Sequence, residues 1–164
     1  MASTYTPIAT QTLGSMQSAI TFSSIPSTYT DLILVQNGAF NAAAGDVFIR
    51  FNSDTGSNYS QTALSGSGTS ALSSRESNVT RMLMDSYGYP TTGISTRIIQ
   101  IMNYANTTTN KTVLSRANNA ATGLDAIVGL WRSTSAITTI DLYAWTTNYF
   151  AAGSTFTLYG IKAA

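Results

Sequence analysis

The chain contains no cysteine and no histidine in its 164 residues. Without cysteine there is no disulfide, no thiolate nucleophile and no cysteine-based metal site. Without histidine the usual base of a hydrolytic triad is missing, so serine chemistry would have to rest on Lys111 or Lys162. Such a lysine needs burial to lower its pKa, and both stand beside loop or terminal residues, so neither reads as buried. Charge is scarce as well: Asp, Glu, Lys and Arg make up 9% of the chain, and the formal net charge is +1. That balance gives no field to steer nucleic acid or anionic lipid, and both partners are set aside. The longest apolar runs, "LILV" and "AIVGLW", are too short to span a bilayer, and the N-terminus lacks the basic and apolar regions of a signal peptide. The sequence reads as one soluble domain, long enough to bury a core without metal, cofactor or disulfide.

The remaining chemistry is thin. Glu76 is the one glutamate among seven carboxylates, and the aspartates flank strand candidates, where Asp commonly holds a turn rather than forming a glycosidase pair. "NSDTGSN" places Asn52, Asp54 and Asn58 at alternate positions, as in a calcium loop, but its glycine comes early and Ala63 falls where the closing acid belongs. A turn held by Asx hydrogen bonds is the better reading. Sequons at Asn58, Asn78, Asn106 and Asn110 arise by chance in a chain this rich in Ser and Thr.

What is present is Ser, Thr, Asn and aromatic side chains, arranged in an all-β rhythm of short β-branched runs separated by turn residues. Strands are expected at Ala19 to Phe22, Leu32 to Gln36, Val47 to Phe51, Thr96 to Met102, Thr112 to Arg116, Leu124 to Trp131, Ile137 to Trp145 and Thr155 to Ile161. About eight strands predict an antiparallel β-sandwich of jelly-roll type. "LILV" is apolar on both faces, which places it in a central strand, and Leu124 to Trp131 is central too. Ile140, Leu142 and Ala144 should face inward, with Thr139, Asp141, Tyr143 and Trp145 outward. "LWRSTSAI" reads as a hairpin turn, and the Gly- and Ser-rich stretch from Ser53 to Ser74 as a long flexible loop. "SSRESNVTRMLMD" is open between strand and a short helix, because Ser73 and Glu76 have capping-box spacing.

Residues 1–17 carry no charge, little apolar periodicity and a proline at position 7, and read as an arm outside the core that orders against a neighbour; 18–164 form the sandwich. Candidate partner-binding residues are Tyr5, Pro7, Ile8 and Leu13 in the arm and Tyr143 and Trp145 on the outward face of their strand. Loop aromatics Tyr87, Tyr89 and Tyr149 could stack on sugar rings. The ending "AAGSTFTLYGIKAA" predicts a strand that completes the sheet, with Phe156, Leu158 and Gly160 inward and Gly160 admitting a close backbone approach.

The segments "YTPIATQTLGSMQSAITFSSIPSTYTDLILV", "IRFNSDTGSNYS" and "AAGSTFTLYGIKAA" resemble small virion proteins of tailed bacteriophages, a group that includes capsid cement or decoration proteins and tail or fibre components. The resemblance covers both ends and part of the middle, and the stretch from Ser65 to Tyr89 has no counterpart. It implies a non-enzymatic structural protein, made in the host cytoplasm and placed on the capsid surface. There it would bind the major capsid protein lattice as a homotrimer, without cofactors. The alternative is a tail-fibre or tail-tip module that binds host-surface carbohydrate.

Overall fold

The computed structural model describes residues 4–41, 46–85, 94–145 and 148–162. Among these there is no helix, and twelve strands run in order: β1 (Tyr5–Thr12), β2 (Ala19–Phe22), β3 (Asp31–Gly38), β4 (Val47–Phe51), β5 (Tyr59–Gly66), β6 (Ala71–Val79), β7 (Met82–Asp85), β8 (Ser95–Ile101), β9 (Lys111–Asn119), β10 (Gly123–Trp131), β11 (Ile140–Ala144) and β12 (Thr155–Ile161). They form an eight-stranded sheet, β1-β12-β3-β8-β9-β10-β5-β6, and a four-stranded sheet, β2-β11-β4-β7. Every paired neighbour is antiparallel.

The wiring is that of a jelly roll with two insertions. β1, β3, β8 and β12 alternate along the chain with β2, β4, β7 and β11, so the chain crosses between sheets at almost every step. The sheets β1-β12-β3-β8 and β2-β11-β4-β7 make an eight-stranded sandwich, but not from the eight strands expected: β1 and β7 take part in it, and the expected β9 and β10 lie beyond it. Two further hairpins, β5-β6 after β4 and β9-β10 after β8, pair with each other and extend the first sheet into a wing. The stretch read as a flexible loop therefore holds the β5-β6 hairpin, closed by Ser67 and Ser70. "SSRESNVTRMLMD" is strand rather than helix: Glu76 spends its carboxylate on Gln61 Nε2, 2.5 Å away on β5, not on a helix cap. Cross-strand pairing overrides the local capping signal there. "LWRSTSAI" is likewise no hairpin, because β10 and β11 belong to different sheets and residues 132–139 carry the chain across the end of the sandwich.

The core follows from period-two alternation. β12 alternates strictly, with Phe156, Leu158 and Gly160 buried, and β11 buries Ile140, Leu142 and Ala144. In β3, Leu32 and Leu34 face the core while Ile33 is covered on the outer side, the two-sided burial that "LILV" implied. Met82 and Met84 of β7 and Ile20 and Phe22 of β2 close over this surface from the smaller sheet. At Gly129 on β10 an added Cβ would meet the Met82 sulfur, so in this packing the Met82 side chain fills the space a side chain at 129 would take.

The arm departs from expectation. β1 pairs along its length with β12 of the same chain, with a bulge at Ile8 between Pro7 and Ala9, and Leu13 sits in the core at 8% exposure. An apolar residue immediately after the strand tethers it, and Pro7 is tolerated because β1 is an edge.

Candidate interaction surfaces

The outer face of the wing is built from alternate residues of four strands. On β10 these are Leu124, Ala126, Val128 and Leu130; register places Thr62, Leu64 and Gly66 of β5 beside them on one flank and Leu114, Arg116 and Asn118 of β9 on the other. β6 adds Ala71, Ser73, Arg75 and Ser77. In a sandwich this alternation normally places polar groups outside. Here Leu64, Leu124 and Val128 lie 56%, 55% and 51% exposed. Leu64, Leu114, Ala126 and Val128 line a shallow groove of about 640 Å³, with Arg116 and Thr62 among its other walls.

The opposite surface is the outer face of the smaller sheet. The Arg81 guanidinium lies between the rings of Phe48 and Trp145, at 4.3 and 4.0 Å from their centroids, and Arg50 lies 5.0 Å over Tyr143. Trp145 is 39% exposed. Beside this ladder a groove of about 470 Å³ is lined by Arg50, Asp141, Tyr143, Ser18, Ser53 and Thr55. The Asp141 carboxylate accepts from Thr21 Oγ1 at 2.7 Å, which holds one wall in place. Burial, partly offset by Arg50 and Arg81, pushes the Tyr143 phenol up.

The sequence candidates thus divide between opposite sides of the sandwich. Tyr5, edge-on to Tyr159, and exposed Pro7 lie at the β1 edge of the large sheet. Ile8 is half-buried against the core, and Leu13 is buried, so Leu13 offers a partner nothing. Tyr143 and Trp145 share the smaller sheet's face. Tyr149 is 40% exposed, its backbone held by Asn41, and Tyr87 and Tyr89 lie outside the described residues. The wing face was not singled out from the sequence. Its signal was the run of aliphatic residues at even positions 124–130, in a segment expected only to be central in its sheet.

Asn52 and Asp54 hold structure. Asn52 Oδ1 accepts from the Thr138 and Thr139 amides at 2.9 and 3.1 Å, pinning the crossover between sheets. Asp54 accepts from Trp131 Nε1, the Gly56 amide and Asn58 Nδ2 at 2.7, 2.8 and 2.9 Å. Burial pushes its carboxyl up, but these hydrogen bonds and Arg50 together hold it below the usual carboxylate range. Lys111 corrects a sequence reading: its side chain is fully buried, and burial lowers its pKa. Its ammonium nevertheless donates to two backbone carbonyls, Thr109 O at 2.8 Å and Thr134 O at 3.2 Å, rather than to a serine. Among the described residues no group of three or more His, Cys, Asp or Glu side chains could hold a metal ion.

Comparison with known proteins places no relative beside this chain: no family model, no curated protein and no solved structure matches it.

Proposed function

We propose that this is a non-enzymatic structural protein of a tailed-phage virion, a cement or decoration protein that binds and stabilises the major capsid protein lattice. The observation that carries this reading is the wing: four strands added to a jelly roll, with large aliphatic side chains left half in water on the outer face. Such a surface costs solubility unless another protein covers it. Self-association as a homotrimer fits the other side, where Tyr143 and Trp145 present aromatic area for burial against copies of the chain. Mass spectrometry of purified particles tests the reading. Hundreds of copies per particle support a cement protein, a few dozen or fewer a tail component, and none overturns a virion role.

A second reading rests on the groove beside Tyr143. An aromatic wall, a carboxylate and three hydroxyl side chains in one cleft suit a sugar, as in a fibre or tail-tip module that binds host-surface carbohydrate. A glycan array decides it: binding that Tyr143→Ala abolishes would favour this function over cement.

A further inference from the structure

We infer that the outer face of the wing docks onto a different protein, whose facing patch is apolar and carries carboxylates opposite Arg75 and Arg116. The inference rests on the structural reading above for the setting in which that partner is met. Its own support is the distribution of charge. On the outer rows of β5, β6, β8, β9 and β10 the charged residues are Arg75 and Arg116, whereas Glu76, Arg97, Lys111 and Asp125 belong to the inner rows. Both arginines are exposed, and among the described residues neither has a hydrogen-bond, ion-pair or ring partner. Two further charges lie at the rims of this face: Asp31, whose carboxylate accepts from the Asn103 amide at 2.5 Å, and Arg132, just past β10, which donates to Ser60 Oγ, Ser57 O and Asn78 Oδ1 and so is already engaged.

A second copy is therefore a poor occupant. Two wing faces laid together would enclose four guanidiniums in an apolar interface without a carboxylate to meet them, and unpaired charge in such an interface is costly. A partner with carboxylates would turn the same arginines into forked hydrogen-bond donors. Arg116 and Arg75 are separated by β10 and β5, three strand spacings, so the partner's acids should flank its apolar patch about 15 Å apart. Four strands of about nine residues span roughly 600 Å², the low end of the share one partner contributes to a standard stable interface.

Two measurements test this. The first uses bis-anilinonaphthalene sulfonate, a probe that joins apolar rings to two anionic groups. Wild type should bind it saturably with enhanced fluorescence. Arg75→Glu/Arg116→Glu should weaken binding about tenfold, Leu64→Ser/Val128→Ser should abolish it, and Trp145→Ala should leave it unchanged, with circular dichroism confirming that each variant is folded. No saturable binding, or loss confined to Trp145→Ala, overturns the wing as the docking face. The second places a photo-crosslinking residue at position 128 or 143 of the chain in assembled particles and maps the adducts. Position 128 should join a different virion protein at a segment bearing Asp or Glu. Adducts from 128 to copies of this chain, or from 143 alone, overturn the inference while leaving the virion role intact. Absence of the chain from particles overturns that role, and the dye titration then decides the wing by itself.

Discussion

Single side chains in this protein are fixed by what their neighbours donate. The Asp54 carboxylate is held charged by Trp131, Asn58 and Gly56, so its folded pKa lies below the ordinary 3.8. A depressed carboxyl stabilises the fold above its unfolded pKa and loses that stabilisation as pH falls through the folded value. Asp54→Asn should therefore cost about 1 kcal/mol at pH 7, with the gap from wild type closing below pH 3.8, as followed by urea melts across pH. Asp46 has the opposite sign: burial, reinforced by Asp125 and Glu76 and opposed by Arg81, raises its carboxyl. Asp46→Asn should be more stable than wild type at neutral pH and lose that advantage as the wild-type carboxyl protonates. Arg97 pairs with Asp85, both fully enclosed between the sheets. Arg97→Ala leaves a buried carboxylate without this guanidinium and should cost about 3 to 5 kcal/mol, a loss measurable by thermal melting.

At the scale of elements, the final strand matters because of where it lies. β12 is an interior strand with β1 on one side and β3 on the other, so its removal breaks two ladders and bares the core under Phe156 and Leu158. Those two side chains contribute about 1.5 to 3 kcal/mol each, against a net stability of roughly 5 to 15 kcal/mol for a domain. Deletion of 153–164 should give insoluble or unfolded protein, whereas deletion of 163–164 should leave the melting midpoint within a few degrees of the full chain. The same strand holds Gly160 against the face of the Tyr29 ring, where a Cβ would collide. Deletion of 1–13 is predicted to cost stability rather than to spare the fold, because it opens the β12 edge and removes Leu13 from the core. An intact melt for that truncation would restore the arm as a separate segment.

For the whole molecule the consequence lies in two unlike outer faces. One is aliphatic with two guanidiniums, of Arg75 and Arg116, that have no partner among the described residues; the other is aromatic, with its guanidiniums already stacked on rings. If the chain trimerises through Tyr143 and Trp145, sedimentation at micromolar concentration should show the trimer, and Tyr143→Ala/Trp145→Ala should return it to a monomer without a change in circular dichroism. A monomer at that concentration in wild type would refute self-association on this face.

Period-two patterning determined much of this protein by itself. All eight expected strands exist, and the inward sets Ile140, Leu142, Ala144 and Phe156, Leu158, Gly160 are buried because side-chain alternation is a property of the strand, independent of its partner. The plain turn at Asn52 to Asn58 was legible for the same local reason, since Asx hydrogen bonds close within a few residues. β5 and β6 were not, because "SQTALSGSGTSALSSRES" alternates weakly and becomes a hairpin only when β10 pairs with it. The arm, too, became a strand only through β12, far away in the chain. Which face of β10 stays uncovered, and that Arg75 and Arg116 share it, depends on strand register and on how far the smaller sheet extends. Neither is encoded in any local window, so only the tertiary structure could decide them.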